Sequence, residues 1–116
     1  MSMQTSLDTI IQRGSLEIDV PRYVVSIYSQ GQKVPVELTP IECKILCRLA
    51  QNPGYIFTRE QLIESVWGDG ITIESRSVDK HISSLRKKLG TDPRYIRTVS
   101  GLGYQFIEQN SAATIP

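Results

Sequence analysis

The sequence predicts an α+β domain with a small N-terminal antiparallel sheet, three helices and a closing β-hairpin. Three observations carry that reading. Residues 16–38 read as short strands separated by turns, two capping boxes open helical patterns at 39 and 58, and two glycines bracket a single residue near the end. The 116 residues suffice for one modest core.

Residues 1–14 have weak periodicity and read as linker, with Met1-Ser2 as an expression remnant. Leu16-Glu17-Ile18 then alternates, Tyr23–Tyr28 is β-branched and aromatic, Ser29-Gln30-Gly31-Gln32 supplies a turn, and Val34–Leu38 returns. Pro35 cannot donate to a ladder, so that strand belongs at an edge or is interrupted.

Thr39 is an N-cap, Pro40 suits the first helical position, and Glu42 completes a capping box. Leu38 and Cys43 stand at staple spacing. Ile41, Ile45, Leu46 and Leu49 form the apolar face, and Asn52-Pro53-Gly54 ends the helix. After the extended Tyr55-Ile56-Phe57, Thr58 and Gln61 form a second box. Leu62, Ile63, Val66 and Trp67 face inward there, with Trp67 read as core packing, and Gly68 stops the helix. A third helix runs from Ser75 to near Gly90. Beyond Asp92-Pro93, Tyr95–Val99 reads as a strand, Ser100–Gly103 as a tight turn and Tyr104–Phe106 as the returning strand. Residues 108–116 read as a flexible tail.

Cys43 and Cys47 share one face of the first helix. A metal or redox pair would have that spacing, but zinc needs more ligands and the lone histidine, His81, is distant. Both read as core thiols, so no metal or cofactor is expected. One histidine, no glycine-rich phosphate loop and no nucleophile elbow argue against a hydrolase or transferase. No apolar run reaches the roughly 18 residues of a membrane span, and the N-terminus lacks a signal-peptide pattern, so the expected location is cytoplasmic.

The net charge of +1 hides an asymmetry. Residues 1–74 carry six Lys/Arg against nine Asp/Glu, whereas residues 75–105 carry seven against two, a local net of +5. On the third helix Val78, Ile82, Leu85 and Leu89 fall within about 60° of one another at about 100° per residue. Arg76, Lys80, Ser83, Ser84 and Lys87 lie opposite, with Ser77 close by and Arg86 and His81 flanking the stripe. A basic helix behind a shorter helix and turn is suited to a major groove, which is about 12 Å wide and admits one helix. The hairpin, with Arg97 and Thr98 near its tip, would lie beside it. Helix-turn-helix followed by a β-hairpin is a winged helix. A solvated cationic face is the plainer account of the same charges.

Leu38-Thr39-Pro40-Ile41-Glu42, Thr58-Arg59-Glu60-Gln61-Leu62-Ile63 with Val66-Trp67-Gly68, Arg76–Leu89 and Ile96–Phe106 together resemble the OmpR/PhoB winged-helix effector domain of two-component response regulators. The likeness covers about residues 15–107. It implies a four-stranded N-terminal sheet, three helices and a hairpin wing. It implies sequence-specific binding of double-stranded DNA, usually direct repeats, with the helix at about 75–89 in the major groove and the wing at 95–106 on the minor groove. An upstream receiver domain and a sensor kinase would belong to the full-length protein. In the family the loop before the recognition helix commonly contacts RNA polymerase. That makes Gly68, Asp69, Gly70, Ile71, Thr72, Ile73 and Glu74 candidates for that role, against a plain connector.

Carried over by position, Arg76, Ser77, His81, Ser83, Arg86 and Thr98 match places that often contact phosphates. Ser84 stands where many members read a base with arginine, and Ser100 where arginine enters the minor groove. Serine at 83, 84 and 100 removes up to three cations, each worth about 0.9 in salt slope, with Lys80 compensating in part. These departures predict a weaker or differently specified binder. They also motivate the alternative, a winged-helix protein-interaction module with weak or lost DNA binding.

Overall fold

A computed structural model describes residues 10–68, 70, 72–90 and 95–107. Four strands, β1 (Ile10–Arg13), β2 (Leu16–Asp19), β3 (Val24–Ser29) and β4 (Gln32–Val36), form an antiparallel meander in the order β1-β2-β3-β4. The period-two pattern sets its inner face: Leu16 and Ile18 are fully buried, and Val25, between Ile18 and Val36 in the ladder, is nearly so. Gln30 and Gly31 link β3 to β4 with φ of 51° and 79°, the positive values that let a two-residue turn match the strand twist. Pro35 lies opposite Ser26 on the outermost strand, where its missing N–H breaks no ladder.

The sheet starts earlier than the sequence reading placed it. Ile10–Arg13, assigned there to a linker over 1–14, pairs with β2 as Ile10↔Asp19 through Arg13↔Leu16. Neighbouring isoleucines hide the alternation, although the partner strand follows at once across a two-residue turn in which Gly14 has φ of 59°. Ile11 joins the core, and Arg13 Nε donates to Ala50 O at 2.9 Å, satisfying a carbonyl at a helix C-terminus. The proposed boundaries at residue 1 and in the tail 108–116 lie outside the described residues.

Helices α1 (Pro40–Gln51), α2 (Arg59–Trp67) and α3 (Ser75–Leu89) follow, and each packs on the other two. Both capping boxes close: Thr39 with Glu42, and Thr58 with Gln61, each pair exchanging bonds of 2.9–3.1 Å. Gly68 and Gly90 end α2 and α3 at positive φ. Ile45, Leu46, Leu49, Leu62, Val78, Ile82 and Leu85 are buried at one centre. Each contributes roughly 1.5–3 kcal/mol by leaving water. Cys43 and Cys47 are free thiols within the same core.

The chain closes with β6 (Ile96–Val99) and β7 (Gly103–Phe106), the expected hairpin. A two-residue strand, β5 (Ile56–Phe57), adds to it, giving a second sheet in the order β5-β7-β6. Gly103 makes this possible. Its φ is 153°, and a Cβ there would stand 2.0 Å from Phe57 O.

Candidate nucleic-acid interface

The inner stripe of α3 is as its periodicity requires, with Val78, Ile82 and Leu85 fully buried and Leu89 nearly so. That burial fixes the helix azimuth and turns Arg76, Lys80, Ser83 and Lys87 to solvent, all exposed within an arc of roughly 60°. Arg97 is exposed on β6. None of these four cations forms an ion pair among the described residues. Among the described residues no side chain caps the N-terminus of α3, where Glu74 is the N-cap residue and Arg76 stands in the first turn.

The flanks of α3 are engaged with the protein itself. On one side Ser84 is half-buried, a correction to its placement on the solvent face. Its hydroxyl donates to Glu42 Oε2 at 2.7 Å, while Lys88 Nζ reaches Glu42 Oε1 at 2.7 Å and the Thr39 amide donates to the same oxygen at 2.9 Å. Glu42 is 3% exposed. Burial pushes its carboxyl up, but the Lys88 ammonium, the Ser84 hydroxyl and the Thr39 amide outweigh that and hold it at about 2. His81, on the same flank, sits 5.7 Å from the Trp67 ring, and Ser77 donates its amide to Glu74 O.

On the other flank Arg86 holds the wing. Its Nε donates to Ile96 O at 3.2 Å and its Nη2 to Thr98 Oγ1 at 2.7 Å. Beneath lies Tyr104, 5% exposed, with the guanidiniums of Arg59 and Arg86 5.8 and 5.6 Å from its ring centroid. The Tyr104 hydroxyl and Arg59 Nε both donate to Asp79 Oδ1, the latter at 2.8 Å. The Arg59 guanidinium beside Asp79 holds that carboxyl below its ordinary value, and burial pushes the Tyr104 phenol up. The result is a helix and a hairpin locked edge to edge, with a free basic face on one and an exposed tip, Ser100 to Leu102, on the other.

The family model described as "Transcriptional regulatory protein, C terminal" matches residues 31–106. The chain belongs to this family. Within it, this regulatory C-terminal domain is 40% identical to the DNA-binding response regulator MtrA of Mycolicibacterium smegmatis, over 79% of this chain and 40% of that protein. It is 39% identical to the phosphate regulon transcriptional regulatory protein PhoB of Rhizobium meliloti, over 84% and 42%. Solved structures with the same fold include the AdeR DNA-binding domain in complex with an intercistronic region (TM-score 0.74, 30% identity, 84% of this chain and 98% of that one). Another is the Klebsiella pneumoniae RstA DNA-binding domain in complex with the RstA box (TM-score 0.71, 37% identity, 84% and 96%). The fold is thus the winged helix of OmpR/PhoB-type response regulators. The chain spans between about a third and a half of the length of its curated relatives.

In the regulatory domain's expected polymerase loop, Gly70, Thr72 and Glu74 are exposed and Ile73 packs against the core, while Asp69 and Ile71 lie outside the described residues. Sequence reasoning missed Lys88, Arg59 and Asp79 as organisers of the α3 flanks. A helical wheel puts Lys88 beside Ser84 and Asp79 beside Arg86, a usable signal. Nothing local points either pair toward Glu42 or Tyr104.

Proposed function

We propose that this chain is the sequence-specific, double-stranded DNA-binding effector domain of a bacterial transcriptional response regulator, and not an enzyme. Helix α3 enters the major groove, and the β6–β7 wing lies on the adjacent minor groove. The observation that carries this is the exposed cationic arc of Arg76, Lys80 and Lys87, without an ion pair among the described residues, beside a wing bearing Arg97. Four exposed cations on one helix-and-hairpin surface match a polyanion with a groove. The complexes of the AdeR domain with an intercistronic region and of the RstA domain with the RstA box, similar in fold across nearly their whole length, support DNA binding by this fold.

In this reading Arg76, Lys80, Lys87 and Arg97 meet phosphates or base edges. Ser83 permits close approach, Ser77, His81, Thr98 and Ser100 complete the surface, and Ser84 and Arg86 hold its shape. An upstream receiver domain, phosphorylated by a sensor kinase, would drive pairing on direct repeats, and the 68–74 loop would meet RNA polymerase. The setting is the cytoplasm; none of the described helices is long and apolar enough to cross a membrane.

Selection from random duplexes, followed by anisotropy titrations at several salt concentrations, tests the reading. An enriched direct repeat is expected, with a salt slope of about −3 to −4 for each bound copy from its four contacts, and Lys80→Ala should lower that per-copy slope by about 0.9 or change the base preference. Flat, weak binding without enrichment would instead favour a protein-interaction module.

A further inference from the structure

Leu102 stands at the end of the wing and is 56% exposed, more than any other large hydrophobic side chain among the described residues. Its neighbours in the turn, Ser100 and Gly101, are exposed and small, so it projects alone. Its own amide donates to Val99 O at 2.9 Å, closing the turn. The tip is not a loose loop. Gly103, the next residue, is pressed against the Phe57 carbonyl with no room for a Cβ. Tyr104 follows, clamped between Arg59 and Arg86 and bonded to Asp79. On the opposite strand Thr98 is held by Arg86. An apolar side chain is therefore carried on a preorganised support that begins at the recognition helix.

The wing also lacks the means for an electrostatic contact at its tip. Among the described residues of the hairpin, Arg97 is the one cation, and it sits opposite Gln105 in the body of the ladder. We propose that Leu102 is a DNA-contacting residue whose side chain packs against deoxyribose in the minor groove, so that the wing grips by apolar contact. This rests on the DNA-binding reading above. Sugar edges are the apolar part of the groove wall, and leucine is among the side chains that proteins lay into minor grooves. A rigid tip delivers the contact without the entropy of ordering a loop. Such a contact releases no counterion, so it leaves no mark on the salt dependence.

The test compares the unaltered chain, Leu102→Ala and Leu102→Lys on the selected duplex. Leu102→Ala is expected to weaken binding about five- to tenfold at every salt concentration, with the slope unchanged, as loss of roughly half a buried leucine implies. Leu102→Lys is expected to steepen the slope by about 0.9. Hydroxyl-radical footprinting, which reports sugar accessibility, should show protected minor-groove sugars at the flank with the unaltered chain and lose them with Leu102→Ala. Since the side chain is exposed, melting temperatures should not move. Unchanged affinity and footprint in Leu102→Ala, beside tight salt-dependent binding by the unaltered chain, would overturn the proposal and assign the tip to a protein partner. Absence of duplex binding by the unaltered chain would instead remove the DNA reading itself.

Discussion

At the scale of single residues, Glu42 has two tasks that compete for the same two oxygens. It closes the capping box of α1 through the Thr39 amide, and it holds the Ser84 hydroxyl and the Lys88 ammonium of α3. A carboxylate is the one side chain of that size with enough lone pairs for all three. Its depressed pKa makes a signed prediction. Because the folded value is about 2, below the ordinary 4.5, the carboxylate's stabilisation is complete above 4.5 and is lost as pH falls toward 2. Denaturant titrations from pH 6 to pH 2 should show that decline, and Glu42→Gln should flatten its share of it. At neutral pH the variant is expected to lose about 1–3 kcal/mol, since the amide keeps one acceptor but leaves Lys88 unpaired. Equal pH profiles for the two proteins would mean the network does not form. Ser84 belongs to the same account: its hydroxyl donates to Glu42 within the protein, while Lys88 already supplies the positive charge that the carboxylate needs.

At the scale of elements, the question is how a two-stranded hairpin becomes a fixed part of a surface. A hairpin alone is marginal in water. Here β5 supplies a third strand, Gln105 Nε2 reaches Gly54 O at 2.8 Å, and Arg86 bridges α3 to the Ile96 carbonyl and Thr98. Arg86→Ala should therefore release the wing while sparing the helices. Hydrogen exchange of the amides over 96–106 is expected to accelerate tenfold or more, with α1 protection unchanged. DNA affinity should fall by more than the removal of one phosphate contact would produce. If exchange in the wing is unaltered, β5 and the Tyr104 cluster suffice to hold it, and Arg86 is a surface cation. The elements best read from sequence were those whose signals are local. Thr39 with Glu42 and Thr58 with Gln61 stand three apart, and the Val78–Leu89 stripe repeats within one helix. β5 is two residues long and carries no period: Tyr55-Ile56-Phe57 reads as extended in the sequence, but only its pairing with β7 makes it a strand of the wing sheet.

At the scale of the whole molecule, charge and core are segregated. The acidic first two-thirds builds the meander and two helices, and the basic third supplies α3 and the wing. The boundary of the folded unit follows from this scale. Removing residues 1–14 deletes β1, uncovers the edge of β2, and leaves Ala50 O without Arg13. The shortened chain is expected to melt several degrees lower, as an unfolding cost of about 1–2 kcal/mol implies for a domain of this size. An unchanged melting temperature would restore the linker assignment for that stretch.

Helix positions, their caps, the inward stripe, the hairpin and the concentration of positive charge in residues 75–105 were determined by the sequence itself. Each depends on spacings of a few residues, over which chain geometry is rigid enough to be computed by hand. Tertiary structure alone decided which polar side chains remain free for a partner. Arg13 to Ala50 spans 37 residues, Ser84 to Glu42 spans 42, and Gln105 to Gly54 spans 51. A helical wheel treats Ser84, Lys87 and Lys88 as one polar surface. Packing α1 against α3 places a buried carboxylate beside two of them, because an ion taken out of water must find partners wherever the fold provides them. Lys87 is left to solvent with Arg76 and Lys80, and that remainder is the face proposed above to meet DNA.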